Sequence, residues 1–97
     1  AFAYVPIGAS NEARVTQELA IANALAKDPA RRAPALTFYQ RALREAPQMP
    51  SFQWSLAMFL AQTGHPQDAV AHYRAALAVW PDDAETRFNL GLALAAI

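Results

Sequence analysis

Two stretches of the chain, 34 residues apart, carry the same spacing. Tyr39, Ala42 and Pro47 in "TFYQRALREAPQM" are matched by Tyr73, Ala76 and Pro81 in "AHYRAALAVWPDD". A fixed period constrains the fold more than any single motif. Each unit of a repeat cannot bury its apolar face alone and must stack on a neighbour. Alanine matches carry little weight in a chain that is roughly one quarter alanine. Tyrosine and proline, at three and seven copies, carry more. The same register pairs Ala35 with Ala69, Leu43 with Leu77, Leu56 with Leu90, Leu60 with Leu94, and Ala61 with Ala95. It also sets aromatic Trp54 against aromatic Phe88.

Prolines and glycines divide the chain into five helical stretches. Residues 1–9, with Pro6 and Gly8, are expected to form an extended apolar leader. Ser10 or Asn11 offers a cap to "EARVTQELAIANALAK", whose Val15, Leu19, Ala22 and Leu25 recur at helical steps. "DPARR" stops that helix. Pro34 suits the first turn of the second helix, because a missing N–H there has no partner to lose. Pro47 ends that helix at about Ala46. Ser51 is expected to cap "FQWSLAMFLAQT", with Gly64 as its left-handed C-terminal residue. Pro66 opens a fourth helix that runs to Trp80, where Pro81 ends it. Asp82 and Glu85 have capping-box spacing before "AETRFNLGLALAAI". No stretch alternates apolar and polar residues with β-branched enrichment, so no strand is expected. Short turns imply antiparallel neighbours.

Each match has a packing reason. Small residues, Ala57 or Gly91 on one helix and Ala69 on the next, allow close approach of paired helices. Tyr73 and Ala76 lie one turn apart on one face, a large and a small partner for the adjoining unit. The pattern resembles the tetratricopeptide repeat family. Residues 50–83 carry its order: Leu56-Ala57, Leu60, Gly64, Ala69, Tyr73, Ala76 and Pro81. Residues 84–97 resemble a lone first helix, with "NLG" at Asn89, Leu90 and Gly91. Residues 10–49 resemble a weaker unit. It fits through Ala35, Tyr39, Ala42 and Pro47, and through Ile21-Ala22 and Leu25 if its turn is one residue longer. It lacks the turn glycine. The family's usual tryptophan place is Gln53 in one unit and Arg87 in the next, with aromatics one residue later. The resemblance implies an all-α, right-handed α-α solenoid of about two and a half repeats over 10–97.

In this family the first helix of each pair lines the inner face, where partners bind. Carried over by position, that face comprises Ser51, Trp54, Met58 and Gln62, then Glu85, Phe88, Asn89 and Leu92. Trp54, Met58 and Gln62 are four apart, as are Phe88 and Leu92, so helical spacing independently puts each set on one side. The face is mostly apolar. Family members that clamp a terminal carboxylate use lysine, asparagine and arginine there, and only Asn89 has such a type. An apolar face instead suits a partner helix or apolar peptide. The same spacing also fits a second reading, with Trp54 and Phe88 as core between stacked units.

The ends raise a related question. Phe88, Leu90, Leu92, Leu94 and Ile97 span most of the last helix, so one neighbour cannot cover them all. Either the natural chain continues, or a partner or second copy contacts Leu94 and Ile97. The first residue is alanine rather than methionine, as expected of a processed or trimmed chain.

Eight basic and eight acidic residues leave a net charge of zero, which gives no electrostatic footprint for nucleic acid. With no cysteine, disulfides and thiolate metal sites are absent. His65 and His72 are seven apart with no acidic residue at ligand spacing, so no metal site is expected. Ser10, Ser51 and Ser55 sit at or near helix starts, and Asp82 and Asp83 read as caps. Arg31 and Arg32 read as a solvated loop. No nucleophile elbow, metalloprotease, phosphate-loop or dinucleotide motif occurs. The expectation is a non-catalytic, cofactor-free protein-binding module without a transmembrane segment. The alternative is a structural or assembly subunit, buried among neighbouring subunits of a larger, membrane-associated complex. The arginine- and alanine-rich composition points to a bacterial source, with a periplasmic or membrane-proximal setting as the expectation.

Overall fold

The computed structural model describes residues 7–47 and 49–97. Those residues form helices α1 (Ile7–Ala26), α2 (Arg32–Glu45), α3 (Pro50–Gln62), α4 (Pro66–Val79) and α5 (Ala84–Ala95), with no strand among them. A single 3-10 turn, Pro29–Arg31, precedes α2. The fold is all-α, built from helices that pack on their chain neighbours within two compact units. The first unit ends at Glu45 and the second begins at Ala46.

In the first unit α1 packs on α2. Val15 and Ala22 are buried from α1, and Ala35, Tyr39 and Ala42 from α2. The alanines lose no rotamer freedom on burial and let the two backbones approach closely. Tyr39 supplies the bulk, and its hydroxyl donates to Asn23 Oδ1 on α1 at 2.5 Å. An aromatic ring is thus buried without stranding its polar tip. Burial raises the Tyr39 phenol pKa above its ordinary value. Arg14 and Glu45 pair across the same helices at 3.4 Å in an exposed position.

Two expectations for this unit change. The helix begins at Ile7, so residues 7–9 of the expected leader are helical; residues 1–6 lie outside the described residues. Nothing after Pro6 forbids this, since a helical glycine costs only about 1 kcal/mol relative to alanine. Arg31 and Arg32 are not a plain loop. The Asp28 carboxylate accepts from Ala30 N at 3.0 Å and pairs with Arg31 at 3.4 Å. Arg32 is already the first residue of α2.

In the second unit α4 packs on both α3 and α5, and α3 also touches α5. Phe52, Leu56, Ala57, Phe59 and Leu60 are buried from α3, Ala69, Val70, Tyr73 and Ala76 from α4, and Thr86 and Ala93 from α5. Gly64 adopts φ 85°, as its place in the turn requires. The turn closes with His65 N donating to Leu60 O at 2.8 Å and Gly64 N to Ala61 O at 3.4 Å. This double closure satisfies the last carbonyls of α3 and reverses the chain into α4.

Two caps differ from the sequence reading. Ser51 is not the cap of α3: Met49 holds that place without a side-chain bond, and Pro50 opens the helix. Proline's fixed φ starts the turn without one. The α5 cap is Asp83, not Asp82. Its carboxylate accepts from Thr86 N at 3.2 Å and from the Thr86 hydroxyl. Thr86 is fully buried and its hydroxyl is satisfied by Asp83, while Asp82 stays in solvent.

Candidate partner-binding face

Within the second unit, α3 and α5 hold equivalent places 34 residues apart, and their exposed sides correspond residue by residue. Ser51 answers Glu85, Trp54 answers Phe88, and Met58 answers Leu92. On each helix these positions lie across from the buried pair, Phe52 and Phe59 on α3, Thr86 and Ala93 on α5. Ser51, Trp54 and Met58 are half-buried, Gln62 is exposed, and Asn89 is half-buried. Glu85 is exposed. Phe88 is 66% and Leu92 56% exposed. Trp54 is therefore neither fully core nor free, whereas Phe88 is not core.

A polar strut orients α3. Gln53 Nε2 donates to the Pro47 carbonyl at 3.1 Å, and Gln53 Oε1 lies 2.8 Å from His72 Nδ1 on α4. Gln53 is thereby turned toward α4. Trp54 lies one residue and about 100° further round the helix from Gln53. His72 is thus part of the α3–α4 contact. The histidine imidazole is held below its ordinary pKa mainly by burial, with Asp68 opposing. His65, in the turn, has Nδ1 3.2 Å from Thr63 Oγ1. Among the described residues no group of three or more His, Asp or Glu side chains is placed to hold a metal ion.

Glu85 sits at the first turn of α5, near Tyr73 on α4. Burial raises the Tyr73 phenol pKa, and the Glu85 charge raises it further. Arg87 points off the face, 3.7 Å from Asp82. Toward the end of α5 Leu94 is 40% exposed, and just beyond it Ile97 is 62% exposed. Leu60, the α3 counterpart of Leu94, is 8% exposed. No helix among the described residues is long and apolar enough to cross a membrane.

Sequence reasoning missed the strut and the buried pair Phe52 and Thr86. Two pairs 34 residues apart, Phe52 with Thr86 and Phe59 with Ala93, share burial although their types differ. The strut joins two helices at a separation of 19 residues and leaves no local pattern.

Comparison with curated proteins finds no match. Residues 50–93, spanning α3, α4 and nearly all of α5, match the family model described as tetratricopeptide repeat. Repeats of this family generally mediate protein–protein interaction and are typically not catalytic. The matched stretch contains the Gly64 turn and the buried Ala69, Tyr73 and Ala76, and over these residues the match supports a tetratricopeptide repeat assignment.

Proposed function

We propose that the second unit binds a partner polypeptide along the face formed by Ser51, Trp54, Met58 and Gln62 of α3 and Glu85, Phe88, Asn89 and Leu92 of α5. The observation that carries this reading is the exposure of Phe88 and Leu92, four residues apart on one side of α5. Burying a large apolar side chain is worth roughly 1.5–3 kcal/mol, so the pair represents a reserve of binding energy. The half-buried Trp54 and Met58 supply an adaptable apolar floor beside it. The face acts by covering apolar surface and performs no bond chemistry.

A photo-crosslinking residue placed at position 88 or 92 tests this. Crosslinks to a partner from the native source are expected from both positions and not from position 74, which is exposed on α4. Equal capture from position 74 would remove the assignment.

A second reading has its own support. Leu94 on α5 and Ile97 just beyond its end are exposed, and Leu94 is the counterpart of Leu60, which is buried on α3. In this reading the chain is an assembly subunit whose last helix is covered by another subunit. Size-exclusion chromatography with light scattering on residues 1–97 separates the two. A stable, helical monomer at micromolar concentration rules out permanent assembly.

A further inference from the structure

We infer that the partner is a cationic amphipathic helix, with its apolar stripe seated on Phe88 and Leu92 and its lysine or arginine side chains toward Glu85. The inference rests on the face proposed above and adds the chemistry of what occupies it. Three observations support it. First, the charges of the chain are segregated. Residues 1–45 carry six basic and four acidic side chains, a net of +2, and residues 46–97 carry two basic and four acidic, a net of −2. The zero total hides an acidic second unit.

Second, the two cations of that unit stay off the face. Arg74 is on α4, and Arg87 is on the other flank of α5, paired with Asp82. Third, Glu85 is the one charged residue among the eight positions of the face, and it is exposed. It lies three residues before Phe88 and seven before Leu92, on the same stripe of the helix. Asp82 and Asp83 precede it at the same end of α5. The stripe therefore runs from negative at its start to apolar along its length. A helix with a lysine two turns from its leucine anchors matches both parts. A glutamate-rich helix of equal hydrophobicity meets repulsion there.

Two synthetic amphipathic helices with the same leucine stripe, one with lysine and one with glutamate on its polar face, test the inference by titration calorimetry against residues 1–97. At low salt the lysine peptide is expected to bind about tenfold more tightly, as removal of an attraction and its replacement by a repulsion would give. Glu85→Gln is expected to reduce that ratio several-fold, and Asp68→Asn on α4 to leave it unchanged. Raising the salt toward 1 M, where the Debye length falls to about 3 Å, should bring the two affinities together. Phe88→Ala should weaken both peptides. Equal binding of both peptides, or a ratio that Glu85→Gln does not change, overturns the charge inference and leaves the apolar face standing. Binding of neither peptide, or binding unaffected by Phe88→Ala, overturns the face itself. Circular dichroism of each variant confirms that it is folded.

Discussion

His72 and Gln53 meet across the α3–α4 contact, Nδ1 to Oε1, at 2.8 Å. The other end of Gln53 fixes the protonation pattern. The Pro47 carbonyl can only accept, so the group bonded to it is the Gln53 nitrogen, and the oxygen must face His72. His72 Nδ1 then carries the hydrogen. In the neutral ring the remaining nitrogen is bare, and burial opposes charging it. The unfolded chain takes up a proton near pH 6.5, while the folded chain takes it up at lower pH. Between those values the unfolded state binds more protons, so stability falls as pH falls. Above that range the contribution is constant. His72→Asn keeps a donor near Nδ1 and does not titrate. Its thermal midpoint should decline less than that of the parent between pH 8 and pH 5, and equal declines would count against the strut.

Gly64 and Gly91 should respond in opposite ways to alanine. Gly64 has φ 85°, and a Cβ there would meet nothing within 4 Å, so the penalty is backbone strain alone. Gly64→Ala is expected to cost about 1–2 kcal/mol in urea unfolding. Gly91 is inside α5 with ordinary backbone and also has open space around it. Gly91→Ala is expected to gain about 0.5–1 kcal/mol through helix propensity. A loss there would mean that the glycine already faces a close neighbour.

Asp83 and Asp82 are adjacent carboxylates with unequal roles. Asp83→Ala removes the α5 cap and leaves the buried Thr86 hydroxyl without its acceptor. The expected loss is about 1–3 kcal/mol, combining a lost cap with a stranded polar group. Asp82→Ala removes only a solvent-exposed pairing with Arg87 and should leave the unfolding midpoint unchanged. Equal effects would return the cap to Asp82, where the sequence spacing alone had placed it.

That one-residue shift indicates what the sequence could and could not specify. Asp82–Glu85 and Asp83–Thr86 both have the three-residue spacing of a cap. The hydrogen bonds of Asp83 to Thr86 decide between them, and the buried place of Thr86 depends on tertiary packing that spacing does not encode. The Gly64 turn was legible because a left-handed residue after a helix is a local requirement. Ala69, Tyr73 and Ala76 were legible because the period repeats their types at Ala35, Tyr39 and Ala42. Phe52 and Phe59 were not, since their counterparts Thr86 and Ala93 share their burial but neither their size nor their chemistry. The exposed stripe was partly legible. Spacing grouped Trp54 with Met58 and Phe88 with Leu92, but groove and core readings share that spacing. Only accessibility separates Phe88 from Trp54.

The difference between those two aromatics yields the sharpest test of the face. Phe88 is 66% exposed, so its ring contributes little to the folded unit and would contribute mainly to a complex. Phe88→Ala should leave stability within about 0.5 kcal/mol of the parent, the usual range for surface substitutions. It should weaken partner binding by about 2 kcal/mol or more, as expected for an aromatic anchor. Trp54 is half-buried and serves both states. Trp54→Ala should lower stability by about 1–3 kcal/mol and also weaken binding at temperatures where the variant remains folded. Urea unfolding and calorimetry on the same two variants separate the effects. If Phe88→Ala destabilises as strongly as Trp54→Ala, the ring is packed in solution and the binding face must be sought elsewhere on the unit.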